Sequence, residues 1–318
     1  MSRILLIKTS SLGDVVHNLP VVSDLQSVLP GVTIDWVVEE SFAALPLLHP
    51  GVSRVLPVAV RRWRGEMWRS AVWSEARKFV SDLRAQTYDA VIDTQGLLKS
   101  AWIARAAHGV RHGLDRKSSR EPLGWFYDQT YSVPWQQHAV ERNRKLAAQA
   151  LGYNLTGSAH YGIHAVPQTF DWLEQGRSHA VLLHATSAER KLWPESRWVE
   201  LGGTLAAQET TCVLPWGNAV ERERSARLAL QIPGAVVPER LELPLLAALL
   251  AQALVVVGTD TGLTHLAGAL GVPTVGIYGS TDPAATGLHG CARGVNVGDG
   301  HAPPAAGQVI AAVHGVLQ

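Results

Sequence analysis

"VVVGTDTGLTHLAGALGVPTVGIYGSTDP", residues 255–283, decides how this chain is built. A valine-rich strand ends at Gly258. Thr259, Asp260, Thr261 and Gly262 make a short turn, and "LTHLAGAL" opens a helix with small residues on its packing face. "PTVGIYG" (273–279) then reads as the next strand. Strand, tight turn, helix and strand within thirty residues is one unit of a parallel sheet. The turn also carries chemistry. Free N–H groups at a helix start, with the helix dipole behind them, attract anions, and glycine lets a ligand approach the backbone closely. Two readings stay open here: a cradle for a diphosphate, or an ordinary turn capped by Asp260 or Thr261.

The same alternation runs outward in both directions. "RILLIK" (3–8), "VTIDWVV" (32–38), "RVLPV" (54–58) and "YDAVIDT" (88–94) read as strands before the middle of the chain. "AVLLHA" (180–185), "TTCVLP" (210–215) and "ALVVVG" (253–258) follow it. Most are continuously apolar and β-branched, as strands covered on both faces must be. "EMWRSAVWSEARKFVSDLRAQ" puts Trp68, Val72, Ala76, Phe79 and Leu83 on one helical face, and "AVERNRKLAAQAL" and "LPLLAALLAQ" also read as helices. The period is lost over 152–178, rich in turn residues, and resumes at Ala180. The prediction is α/β: a domain over residues 1–166 and a second over 167–318, each doubly wound, with ligand bound in a cleft at the carboxyl ends of their strands.

Composition excludes several classes. The 318 residues are 47% hydrophobic and 17% charged with a net charge of +1, so nothing global calls for nucleic acid. The halves differ: residues 1–166 hold 19 Lys+Arg against 14 Asp+Glu, and residues 167–318 hold 9 against 13. Cys212 and Cys291 match no metal or redox spacing, which predicts a reduced, cytosolic protein. No secretory signal and no membrane span is expected, since Gln252 interrupts the longest apolar stretch.

Three other strand ends carry candidate chemistry. In "LLHATSAERKLWPESRW" (182–198), Thr186 and Ser187 offer hydroxyls and Lys191 precedes a helix starting near Pro194; the lysine either neutralises phosphate or is a solvated surface charge. In "LPWGNAVERE" (214–223), Glu221 either accepts from ribose hydroxyls or is an ordinary helix charge. In "KTSSLGD" (8–14), Asp14 follows Ser10, Ser11 and Gly13 at a strand-to-helix junction; it is either a helix cap or an oriented carboxylate able to act as a general base.

Taken together these segments resemble the lipopolysaccharide heptosyltransferases, inverting glycosyltransferases of glycosyltransferase family 9. "DTQGLLKSAWIA" (93–104) and "HAVERNRKL" (138–146) add to the likeness, and "KTSSLGD" is similar to the opening of the heptosyltransferase I branch. The resemblance implies the glycosyltransferase-B architecture, two Rossmann-like domains facing across a cleft. It implies transfer of heptose from ADP-L-glycero-β-D-manno-heptose to the inner Kdo of Kdo-lipid A, at the cytoplasmic face of the inner membrane, by a peripheral protein. Asp14 matches the family's catalytic aspartate, and Lys191 would meet the leaving group. Thr186, Ser187, Lys191, Glu221, Leu241, Asp260, Thr261, Gly262, Leu263 and His265 fall in segments matching the donor site. Leu241 stands where a relative has methionine, an exchange that keeps an apolar contact. Ser10, Ser11, Arg61, Arg62, Arg64, Lys99 and Arg120 are expected on the anionic acceptor, since arginine forks suit phosphate and carboxylate. Arg69, Arg116 and Lys117 extend that basic cluster. No "DxD" metal loop is present and "GTDTG" has one carboxylate, so no metal and no cofactor are expected. Alternative readings are a heptosyltransferase II type enzyme, a nucleotide-sugar epimerase of similar architecture, and a non-catalytic sugar-nucleotide binder.

Overall fold

The architecture is that of a computed structural model, which describes residues 2–174, 176–186 and 188–318. The chain divides into two compact units, Met1–Ile163 and His164–Gln318, a few residues before the boundary read from sequence. The first holds β1 (Arg3–Ile7), β2 (Thr33–Glu39), β3 (Val52–Val58), β4 (Thr87–Asp93), β5 (His108–Leu114) and β6 (Gln129–Tyr131). They form one sheet in the order β3-β2-β1-β4-β5-β6, every pair parallel. The second holds β7 (His179–Leu183), β8 (Thr211–Val213), β9 (Val255–Thr259), β10 (Thr274–Ile277) and β11 (Gly294–Val297). Their order is β11-β10-β9-β7-β8, again parallel throughout.

Each unit builds its own core, and the central strands explain why. Leu5 and Ile7 of β1 pack with Val91 of β4 and with Phe79, Leu83, Ala101 and Ala104 of the helices Ser70–Arg84 and Leu98–Ala106. Ile4 and Leu6, pointing the other way, are equally buried. In the second unit Leu182, Val255, Val257 and Val275 join Leu201, Leu205, Val309 and Val313. At roughly 1.5–3 kcal/mol per buried aliphatic side chain, this two-sided burial is the main force fixing the sheets. Among the described residues no helix is long and apolar enough to cross a membrane.

Three strands were not expected from sequence: β5, β6 and β11. "HGVRHGL" has no apolar run, since its first half is open to solvent and its burial rises only toward Leu114. The helix read from Trp68 begins at Ser70, and Trp68 is not on its packing face but 79% exposed.

Candidate active site

In a doubly wound sheet the crevice opens where the winding direction changes. In the first unit that point lies between β1 and β4. The loop after β1 supplies Lys8, Thr9, Ser10 and Ser11, and the loop after β4 supplies Thr94, Gln95 and Gly96. Gln95 ties the two together. Its Oε1 accepts from the Thr9 and Ser10 N–H groups at 2.9 and 3.0 Å. Lys8 is buried beneath, donating to Thr94 O at 2.6 Å; burial lowers its pKa, while the charges of Asp14 and Asp93 oppose that fall. Neither Gln95 nor Lys8 was singled out from sequence. The available signal was that "KTSS" and "TQG" both follow strands that turn out to be neighbours.

Ser11 caps the short helix Leu12–Val16, and Asp14 completes a capping box. Asp14 Oδ2 accepts from the Ser11 N–H at 2.7 Å and from Ser11 Oγ at 2.9 Å. Its Oδ1 has no hydrogen-bond partner among the described residues, and the side chain is half-buried. The cap and the oriented carboxylate are thus one arrangement, with one oxygen holding the turn and one left over. Lys99 Nζ donates to Ser10 Oγ at 2.7 Å. Burial lowers the Lys99 pKa; Arg61 and Arg64 push the same way, and Glu39 and Asp14 oppose them. Those effects place Arg61, Arg64 and Asp14 each within electrostatic range of Lys99. Arg120 acts on the buried Lys8 and Arg142. Arg62 stands apart from this group in its pairing: its guanidinium lies 3.0 Å from Glu40 and 2.9 Å from Glu75.

In the second unit the winding changes between β7 and β9. The turn after β9 is tight because Gly258 packs against its neighbours: a Cβ there would collide with Thr264 Oγ1 and lie 2.9 Å from Leu183 Cβ. Thr261 caps the helix Gly262–Ala269, its Oγ1 accepting from the Leu263 N–H at 3.2 Å. The Gly262 N–H, at the first helical position, has no intrahelical acceptor. Asp260 is free of capping duty and is gripped from both sides. Lys191 Nζ lies 2.7 Å from Oδ2 and His265 Nε2 3.2 Å from Oδ1. Burial pushes the Asp260 pKa up, but the His265 and Lys191 hydrogen bonds outweigh it and hold the carboxyl well below its ordinary range. An ionised carboxylate is acceptor-only, so it suits sugar hydroxyls and the orientation of Lys191 rather than direct contact with phosphate.

Of the other donor-side candidates, Thr186 is half-buried after β7, and Ser187 lies outside the described residues. Leu263 is half-buried on the first turn of its helix, and Leu241 half-buried just before the helix Leu243–Ala251. Glu221 shares its carboxylate with the start of the helix Ala219–Ala229, accepting from the Gly217 N–H at 2.7 Å and Asn218 Nδ2 at 2.8 Å. Two oxygens have lone pairs to spare beyond these bonds.

The model of glycosyltransferase family 9 (heptosyltransferase) matches residues 76–306. The chain belongs to this family. It is 49% identical to lipopolysaccharide heptosyltransferase 1 of Pseudomonas aeruginosa, over 91% of this chain and 81% of that one. The solved Escherichia coli heptosyltransferase WaaC with ADP has a TM-score of 0.90 and 41% identity, with 99% of each chain covered. The same protein with ADP-2-deoxy-2-fluoro heptose has a TM-score of 0.84 over 98% of each chain. This family-9 protein is therefore a glycosyltransferase with two Rossmann-like units of the glycosyltransferase-B type. Membership sets aside the epimerase reading that the sequence had left open.

Proposed function

We propose that this family-9 protein transfers heptose from ADP-L-glycero-β-D-manno-heptose to the inner Kdo of Kdo-lipid A, with inversion, in assembly of the lipopolysaccharide inner core. The observation that carries the reading is the donor-side cluster. Lys191 lies 2.7 Å from Asp260 beside the first N–H of a helix, in a chain 41% identical to E. coli WaaC solved with ADP.

The chemistry divides between the units. Asp14 Oδ1 takes the proton of the acceptor hydroxyl as its oxygen attacks the anomeric carbon. The bond from that carbon to the diphosphate oxygen breaks, and negative charge grows on departing ADP. Lys191 and the Gly262 N–H meet that charge. Glu221 accepts from ribose, Leu241 packs on the adenine, and Thr186 and Ser187 add hydroxyls to the diphosphate. Asp260 holds Lys191 and His265 in place. The transition state is oxocarbenium-like, as at other glycosidic centres.

On the acceptor side, Arg61, Arg64, Lys99 and Arg120 meet phosphate and carboxylate groups, with Ser10 and Ser11 on sugar hydroxyls. Met67, Trp68 and Trp73, which are 54%, 79% and 51% exposed, lie beside this basic segment. Tryptophan with arginine suits the headgroup level of an anionic membrane, which fits peripheral contact with the cytoplasmic face of the inner membrane. Incubation with ADP-heptose and Kdo-lipid A, followed by mass spectrometry of the lipid, tests the reading. One added heptose with one ADP released is the expected result; hydrolysis or epimerisation without transfer would overturn it.

A further inference from the structure

The carboxyl edge of the second sheet presents its site residues in a fixed order. From β8 toward β10 come Glu221 after β8, Thr186 and Lys191 after β7, then Asp260, Thr261 and Gly262 after β9. The next strand, β10, ends in the loop "YGSTDP" (278–283), which has no role so far. Its register is set by the pairing of Ile277 with Thr259, so Tyr278 lies alongside Asp260 and the loop rises beside the Thr261 cap. The charge of Asp260 reaches the Tyr278 phenol, in keeping with that closeness.

Three hydroxyls in this loop are anomalous: Tyr278 Oη, which belongs to a fully buried ring, and those of the two short side chains that follow it. Ser280 Oγ and Thr281 Oγ1 are both shielded from water, and neither has a hydrogen-bond partner among the described residues. A buried hydroxyl without a partner leaves its desolvation cost uncompensated. Two adjacent ones at the rim of a binding edge point to a ligand that supplies the missing partners.

Strand order says which part of the ligand. Neighbouring strands lie about 4.8 Å apart, so β8 and β10, three steps apart, are separated by roughly 14 Å. An extended nucleoside diphosphate sugar spans such a distance. With the ribose at Glu221 and the diphosphate at Lys191 and Gly262, the sugar falls on the β10 side. We infer that Ser280 and Thr281 hydrogen-bond the sugar of the donor and serve as its specificity contacts. The inference rests on the donor placement proposed above.

The test is thermal stabilisation by ADP and by ADP-heptose, measured on wild type, Ser280→Ala, Thr281→Val and the double variant. Ligand-free variants should melt at or slightly above the wild-type temperature, since an unpaired buried hydroxyl is lost; a structural role would lower it. ADP should bind all four proteins equally. ADP-heptose affinity should fall roughly 10–100-fold in the double variant, two ordinary hydrogen bonds' worth, and Thr281→Ser should restore most of the Thr281 share. Equal weakening of ADP and ADP-heptose would assign the hydroxyls to phosphate and overturn the inference, as would unchanged ADP-heptose affinity. If ADP-heptose fails to stabilise even wild type, the functional reading falls and takes this inference with it. If wild type responds and the variants match it, this inference alone falls.

Discussion

Asp14 and Asp260 are both aspartates beyond an inner strand of a parallel sheet, yet their carboxylates are held in different ways. Asp14 is half-buried and spends one oxygen on the Ser11 cap, leaving the other without a partner among the described residues. Asp260 is buried, with Lys191 on one oxygen and His265 on the other. A carboxylate with a donor on each oxygen, one of them the Lys191 ammonium, resists protonation, and those bonds hold Asp260 below its ordinary pKa despite burial. It can position a cation but is a poor proton acceptor. Each carboxylate accepts two hydrogen bonds, but Asp14 takes both on one oxygen from a serine, which suits the base proposed for it, whereas Asp260 takes one on each oxygen from Lys191 and His265, which suits a brace.

The contrast is most open to attack at Asp14. Asp14→Asn keeps a capping side chain and removes the proposed base, so turnover should fall by roughly 10²–10⁴ while ADP affinity, read by calorimetry, stays unchanged. Near-normal turnover would end the distinction between the two aspartates. Lys191→Ala should slow single-turnover transfer by about 10²–10³, the scale of losing one donor to developing oxyanion charge, and should also weaken ADP binding. A change confined to the donor Michaelis constant would make Lys191 a ground-state contact with no share in the chemical step.

A third test concerns the dryness of the second site. His184, at the end of β7, is buried with Nε2 on Ser225 Oγ at 2.8 Å. Burial, helped by the charge of Arg224, brings its pKa down from 6.5 to about 4. The unfolded chain therefore binds a proton that the folded one refuses between those values. Stability should be full above pH 6.5 and decline as pH falls toward 4, by about 3 kcal/mol at most. Denaturant titrations at stepped pH should show this slope reduced in His184→Asn; an unaltered slope would locate the acid sensitivity elsewhere. The smallest effects belong to the basic segment. Arg61→Ala and Arg64→Ala should each weaken acceptor binding by about 1 kcal/mol, less so at high salt, with ADP affinity unmoved. Arg62→Ala should do less, because its charge already faces Glu40 and Glu75. Equal losses from all three would show that those glutamates give way to the acceptor.

Sequence patterning revealed what two-sided burial dictates. The strands of continuous aliphatic residues, β1, β2, β4, β7 and β9, were visible because each must be apolar on both faces. β5, β6 and β11 lie toward the sheet margins with mixed burial and carry no such run. Lys191, Asp260 and Gly262 could be named because each belongs to a strand-to-helix turn. That Asp260 joins Lys191 to His265 could not be read off, since the first pair is 69 positions apart. Gln95 escaped notice for the same reason: a glutamine after a strand announces nothing until the neighbouring strand is known.

That Gln95 clasp also bears on biosynthesis. Thr9 and Ser10 find their acceptor 86 and 85 positions later in the chain. At about 5–20 residues per second, a ribosome takes roughly 4–17 s to supply it. Over that interval the apolar strand β1 has left the exit tunnel without β4, which should cover one of its edges. The nascent N-terminal half is then a hydrophobic edge awaiting its partner, the state in which parallel sheets are most exposed to aggregation and most in need of a chaperone.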